Sequence, residues 1–409
     1  MKLNYKKTLT LGMGFFAIAL VWQIYNFYVP LFLAEYIPNS MTMVNGIMTM
    51  DNVLAVTMIP IIGSLSDHTK TRFGRRMPYL LIGMPLSALF FVLIPHFNLN
   101  SGGSLGVFVI LIMLYLTMMS LFRSPTIALM PDITPPELRS KANGVINFMG
   151  GFGTILALTL GAMLYKMNEN YPFWMTGVLM MVSLAVLFFG IKEPEVGTIG
   201  EHDDEKLNFK QSIHDLFHSS DKTTSYILCA IFCWFVAYEG VLATFSNYCV
   251  KFLGIEESSA SLYLSVMSAL YMVTAIPSGY FAAKVGKAKA ISMGIVGMFA
   301  SFMLIGFLRK DLLFLNIPFS ISMMVLMVVA GISWALIGIN SYPLVVERAK
   351  SNQFGIYTGL YYFAAQSAAI VGPLLLGLVI DALGFRAMFP FAAVFYAFAF
   401  VWIKKSGEK

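Results

Sequence analysis

Twelve apolar runs, each about as long as the 20 residues a helix needs to cross the hydrocarbon layer of a bilayer, recur along a chain of 409 residues. Cut at polar, Gly and Pro punctuation, they fall at about 9–35, 42–66, 77–95, 105–130, 141–164, 172–191, 224–250, 258–283, 288–307, 317–344, 354–381 and 385–403. A backbone in hydrocarbon must satisfy its own hydrogen bonds, so these runs predict an all-α integral membrane protein. A soluble core is excluded, because a chain that is 58% hydrophobic and 12% charged has too little polar surface to cover itself. Lys2, Lys6 and Lys7 precede the first run, which is too long for a signal-peptide core and lacks a small-residue cleavage site. It is read as the first span.

The basic residues orient the spans. Of 27 Lys and Arg, 21 lie in the termini and alternate loops, five in the other loops, and one, Arg123, inside a span. By the positive-inside rule this predicts a multi-pass protein of the cell membrane with both termini cytoplasmic. The net charge of +6 is therefore a record of topology rather than a sign of nucleic acid, and no nucleic-acid partner is expected. The partners expected are the lipid bilayer and a small molecule, and the chain is expected to act as a monomer. Cys229, Cys233 and Cys249 sit in apolar runs with too few companions for a metal site. The five histidines fall in loops or near span ends, with no nucleophile or metal spacing around them, so no enzyme activity is expected.

The longest polar segment divides the chain into a six-span half at 1–191, a central loop at 192–223 and a second half at 224–409. Within the loop Phe209, Ile213, Leu216 and Phe217 recur at helical spacing. They suggest a short amphipathic helix on the membrane surface, or a tether with chance periodicity. The halves resemble each other. Trp22 to Tyr28 reads WQIYNFY, Trp234 to Gly240 reads WFVAYEG, and Asn26 overlays Glu239. Between the second and third spans Pro60 to Tyr79 reads PIIGSLSDHTKTRFGRRMPY. Here Gly63 permits close helix approach, Asp67 can cap or pair with a base, and Arg72, Gly74, Arg75 and Arg76 form a basic turn. The second half carries a weaker copy, with Pro277, Gly279, Lys284, Gly286 and Lys287.

These spans, the central loop and the repeated loop motif resemble the major facilitator superfamily. The resemblance implies twelve transmembrane helices in two pseudo-symmetric six-helix halves. The longer spacer between Asp67 and Arg72, with RFGRR and Pro78, is similar to that of the sucrose and disaccharide proton symporters, a branch related to the glycoside-pentoside-hexuronide cation symporters. It implies that Gly63, Asp67, Arg72, Arg75 and Arg76 form an inner gate, joined by Glu137 and Arg139 of PDITPPELRSKANG. Glu347 and Arg348 occupy the comparable loop of the second half. Melibiose-type permeases carry two sodium-binding aspartates where this chain has Ala55 and Ile59. The coupling ion is thus expected to be a proton rather than sodium, with no other cofactor.

A buried ionisable group in a span needs a reason, because it costs several kcal/mol unless paired or wetted. Asp51 and Glu239 are the candidate proton-coupling groups; for Asp51 the alternative is a packing acid near the outer mouth. Helical rise places Asp51 roughly 24 Å from Asp67, and Arg123 only about 13 Å from Asp132 and level with Asn147. A direct Asp51 to Arg123 bridge is therefore not expected. Arg123 is either a substrate contact or a partner for loop carbonyls and an acid such as Asp132. Sugar recognition calls for planar polar groups and aromatic faces. Gln23, Tyr25, Asn26, Asn52, Arg123, Asn147, Trp234, Tyr238, Asn340, Tyr361 and Gln366 are the candidates, together with Trp22, Asn247, Trp334 and Tyr362. The expected function is proton-coupled symport of a neutral sugar, a disaccharide or glycoside, by alternating access. The alternatives are a proton-coupled exporter of amphipathic small molecules and a solute sensor that moves nothing.

Overall fold

The computed structural model describes residues 4–135, 138–193, 222–308, 317–348 and 354–407. The helices run α1 (Tyr5–Tyr36), α2 (Met41–Met48), α3 (Met50–His68), α4 (Met77–Leu93), α5 (Leu105–Ile133), α6 (Arg139–Met167) and α7 (Tyr171–Gly190). They continue as α8 (Thr223–Asn247), α9 (Glu257–Val285), α10 (Lys287–Phe307), α11 (Phe319–Val346), α12 (Phe354–Leu383) and α13 (Met388–Lys405). Among the described residues twelve segments are long and apolar enough to span a membrane, with α2 and α3 together forming the second. The fold is the all-α membrane architecture that the apolar runs predict. Phe209, Ile213, Leu216 and Phe217 lie outside the described residues.

Local chemistry sets the helix ends. The Asn4 side chain accepts from the Lys7 amide at 3.1 Å and Ser40 from the Met43 amide at 3.2 Å, each capping donors that a first turn leaves unpaired. Pro78 and Pro172 sit in first turns, where a missing N–H costs nothing.

The chain forms two compact units. Unit 1 comprises Met1–Pro38, Met50–His202 and Glu257–Ser265, and unit 2 comprises Asn39–Thr49, Asp203–Glu256 and Val266–Lys409. In unit 1, α1 packs along α6 and α7, α4 along α5 and α7, and α3 along α5. The head of α9 joins this unit by donating the Ser261 hydroxyl to the Leu158 carbonyl at 2.8 Å. In unit 2, α8 packs on α12 and α13, α10 on α11 and α13, and α2 on α12.

Lipid is as apolar as leucine, so helices in a membrane gain little from burying oil against oil and rely on close packing. A Cβ on Gly153 of α6 would lie 2.6 Å from the Phe16 carbonyl oxygen of α1, and one on Gly372 of α12 would lie 2.6 Å from the Val236 carbonyl oxygen of α8. These are the first and fifth spans in one unit and the seventh and eleventh in the other. The same backbone approach recurs in both. Gly153→Val and Gly372→Val should each lower stability by about 1–3 kcal/mol through overpacking. Gly106→Ala, where a Cβ meets nothing within 4 Å, should leave the thermal unfolding midpoint of the purified protein unchanged.

Candidate functional site

Unit 1 brings two in-span charges near each other, a buried acid and a half-buried base. Asp51, in the first turn of α3, is buried, and its Oδ1 accepts from the Asn52 amide. The Arg123 guanidinium of α5 lies 5.0 Å from the centre of the Trp22 ring of α1. Asp51 and Arg123 are within electrostatic reach of each other, and Tyr25 and Tyr115 lie within reach of Asp51. Tyr25 and Tyr115 pack at 5.3 Å and are wholly buried. Phe91, 5.0 Å from Tyr115, and Phe173, 4.9 Å from Phe91, continue an aromatic column that fixes the two tyrosines in place. The hydroxyls of Tyr25 and Tyr115 and the Nε of Arg123 are buried without a hydrogen-bond partner among the described residues. Buried donors are seldom left so.

This corrects one expectation. Arg123 does not pair with Asp132, whose carboxylate is occupied by Arg75 and Arg76; as expected, it makes no direct bridge to Asp51, although the two interact electrostatically. Counting helical rise compares Cα positions only. In a helix the Cα–Cβ bond leans toward the N-terminus, so a long side chain such as that of Arg123 acts some distance from its own Cα level. No ion pair shorter than 4 Å forms between Asp51 and Arg123 among the described residues; the interaction is through space.

Around this cluster Gln23, Asn26 and Asn52 are half-buried. Asn147 is exposed and donates to the Asn143 carbonyl of its own helix at 2.9 Å, so it is not brought to Asp51. In unit 2 the rings of Tyr238 and Trp334 stack at 3.7 Å with an interplanar angle of 6°, and Phe235 meets Trp334 edge-on at 5.6 Å. Glu239 is half-buried and within electrostatic reach of Tyr238 and Tyr396. Trp234 is wholly buried, Asn340 donates to the Leu336 carbonyl of its own helix, and Tyr361 shares a hydrogen bond with Ser341 at 3.0 Å. Gln366 is exposed.

The basic turn forms a second cluster, closed within unit 1. Buried Arg76 donates through Nε to Asp132 Oδ2 at 2.9 Å, pairs with Asp67, and donates through Nη1 to Ser66. Arg75 Nη2 donates to Asp132 Oδ1 at 2.6 Å. Burial pulls the Arg76 pKa down, but Asp132 and Asp67 outweigh it and hold it above the ordinary arginine value. A raised folded-state pKa means that this contribution is fully present below the ordinary arginine value and fades only as pH rises through the folded one. The pairing therefore persists throughout the neutral and mildly alkaline range.

The centre of the turn is a residue the motif did not point to. Glu193, just past α7, accepts from three successive amides: Arg75 at 2.8 Å, Arg76 at 3.0 Å and Met77 at 2.8 Å. It thereby caps the head of α4, where a negative group is favoured. Gly74 has φ 103°, and a Cβ there would lie 2.4 Å from the Glu193 carboxyl carbon, so both conformation and space require glycine. Gly63, expected to permit a close approach, would place a Cβ 3.5 Å from Ser124 Oγ, which is ordinary contact. Arg72 is exposed and lies over Phe73 at 4.6 Å. Arg139 donates to the Pro131 carbonyl at 3.2 Å, while Glu137 lies outside the described residues. Unit 2 repeats the design in reduced form. Gly286 has φ 93°, Lys287 pairs with Glu347, and Arg348 Nε donates to Thr224 Oγ1 at 3.3 Å.

A helical membrane protein with buried polar clusters and a repeated charged turn has the features of a secondary transporter. The family model of the Major Facilitator Superfamily matches residues 11–367 and 227–408, and the chain belongs to that superfamily of transporters. Among curated proteins it is similar to an uncharacterized symporter of Synechocystis sp., 31% identical over 167 residues covering 39% of this chain and 31% of that protein. It is also similar to a lactose permease of Lactobacillus helveticus (22% identical; 43% of this chain, 31% of that protein) and to the sucrose transport protein SUC3 of Arabidopsis thaliana (27%; 30% and 23%). These matches thus span a third or less of each relative's length. Similar solved structures include the nucleoside transporter NupG, with TM-score 0.74, 13% identity and coverage of 99% of this chain and 98% of that one. A D-xylose-proton symporter gives TM-score 0.68 at 15% identity, covering 99% and 98%. At such identities these structures share the fold.

The cluster geometry ranks three substitutions. Asp132→Ala leaves two guanidinium groups without their shared acid and should cost about 3 kcal/mol. Glu193→Ala frees amides that water can partly satisfy and should cost about 1 kcal/mol. Arg72→Ala should lie within error of wild type. Thermal unfolding midpoints of the three purified variants check the order.

Proposed function

We propose that this transporter carries a neutral sugar, a disaccharide or glycoside, together with a proton by alternating access. The observation that carries the reading is the in-span group of Asp51, Arg123, Trp22, Tyr25 and Tyr115. A carboxylate in a membrane span needs compensation. Arg123 lies within electrostatic reach without a direct bridge, so the acid is free to take up a proton and release it as the cavity changes access. The surrounding groups suit a sugar. Trp22 offers a flat face for the C–H surface of a pyranose ring, and the unpartnered Tyr25, Tyr115 and Arg123 groups offer donors and acceptors for its hydroxyls. The names of the relatives support the same substrate class: one is a lactose permease, one a sucrose transport protein, and the fold is shared with a D-xylose-proton symporter. Ala55 and Ile59 offer no side-chain oxygen on α3, which supports a proton over sodium. Glu239 is a second acid available for coupling. The protein acts as a monomer in the cell membrane with both termini cytoplasmic, an orientation supported by the 21 basic residues on one set of loops and ends.

The test is uptake into proteoliposomes under an imposed pH gradient, acid outside, with radiolabelled lactose, sucrose, xylose and uridine in sodium-free medium. We expect accumulation of a sugar, abolished by a protonophore. Accumulation of uridine alone, or of nothing, would overturn the sugar assignment. In the same vesicles Asp51→Asn should lose accumulation yet retain equilibrium exchange of the sugar. Unchanged accumulation by that variant would remove Asp51 from the coupling.

A further inference from the structure

The head of the second span is fastened in an unexpected place. By chain order α2 opens the second span of the first half, yet residues Asn39–Thr49 belong to unit 2 and α2 packs on α12. One face of α12 carries Pro373, Gly377 and Asp381, four residues apart and therefore aligned along the helix. Each holds a different part of α2. The Asp381 carboxylate accepts from the Met41 amide, from the Thr42 amide at 3.1 Å and from the Ser40 hydroxyl at 2.9 Å. A Cβ on Gly377 would lie 2.7 Å from Thr42 Cα, so the two backbones touch there. One turn further, wholly buried Asn45 donates through Nδ2 to the Pro373 carbonyl at 2.8 Å and to Thr244 Oγ1 at 3.1 Å.

Thr49 separates α2 from α3, which begins at Met50, one residue before Asp51; Thr49 has helical backbone angles and donates its amide to the Asn45 carbonyl at 2.9 Å. The chain passes from unit 2 to unit 1 at this junction. The ninth helix also changes unit, at Ser265 and Val266, but α9 runs unbroken from Glu257 to Val285. Among the described residues, the second span thus combines a change of unit with a junction between two helices, and α9 does not.

We propose that Asp381 is a positioning residue of an outer-end lock. Its carboxylate clasps the head of α2 to α12, and release of that clasp, with bending at Thr49, is a step of the transport cycle. The proposal rests on alternating access between two six-span halves, since α2 and α12 then belong to different halves and cannot stay fastened in every state. The clasp is suited to repeated opening. Asp381 is exposed at the end of α12, so water can replace each amide as it leaves, whereas an apolar seam would expose surface that water does not compensate. The junction of α2 and α3 at Thr49, next to the clasp, gives the movement a place to occur.

The lock can be tested without any sugar, so its failure and the failure of the symport assignment are separable. With Cys229, Cys233 and Cys249 replaced by serine, spin labels at Met43→Cys and Leu383→Cys report the separation of α2 from the end of α12. Both native side chains are exposed. We expect a short and a long distance population in the otherwise unaltered protein, with Asp381→Asn moving weight to the long one and Asp381→Glu moving part of it back. Amide exchange at residues 41–44 should rise about tenfold in Asp381→Asn. Should Asp381→Asn fail to fold, Gly377→Ala keeps Asp381 and presses a methyl on Thr42, and it should produce the same shift. A single short distance, unchanged by either variant, would show α2 to be a fixed strut and overturn the proposal.

Discussion

A charge inside the hydrocarbon layer is too costly to keep without a partner or water, and the arrangement of this protein follows from that constraint. Most of its cations stay in loops and termini. Where charges do enter a span they are gathered, as Asp51 and Arg123 are, beside Trp22, Tyr25 and Tyr115. Where they crowd at a span end they are bound tightly, as Arg75 and Arg76 are by Asp132 and Asp67. The two arrangements suit different tasks. The Arg75, Arg76 and Asp132 contacts are short and directional, which holds a turn in one shape. The Asp51 to Arg123 interaction acts through space, which leaves the carboxylate without a direct bond to the guanidinium.

Carboxylates that close helix heads are the second recurrent device. Glu193 caps α4 within unit 1 and Asp381 caps α2 within unit 2, and in each case an adjacent glycine, Gly74 or Gly377, makes the room. A helix start leaves unpaired amides that carry partial positive charge, and a carboxylate brought from a distant segment satisfies several of them at once. The distant partner makes such a cap a tether between segments as well as a helix signal. That is why it serves equally for holding a turn rigid and for fastening one helix to another.

The spans were legible because length and hydropathy are local properties; their positions needed no knowledge of neighbours. Gly74 and its echo Gly286 were also readable, as glycines beside bases in a turn. The carboxylate partners were not. Glu193 lies more than a hundred residues from the amides it caps and Asp381 more than three hundred, and neither belongs to a motif of its own. Arg123 was legible as a base within a span without a direct bridge to Asp51; its place over Trp22 was not, because Cα spacing ignores the reach of a long side chain. The junction at Thr49 has no Pro or Gly at that position to signal it, and the fastening of α2 to α12 rests on partners more than three hundred residues away. Among the sugar-binding candidates, Trp22 and Tyr25 lie in the buried cluster. Asn147 and Gln366, chosen by residue type alone, lie exposed.

The central claim is that substrate movement and proton movement are joined at Asp51. Charge displacement on a solid-supported membrane measures that join directly. With no ion gradient and no sodium, a jump in lactose or sucrose concentration should drive positive charge in the direction of sugar entry, and Asp51→Asn should lose the sustained current while still binding the sugar. Sugar exchange that proceeds with no current in the wild type, or a current that persists undiminished in Asp51→Asn, would contradict the account.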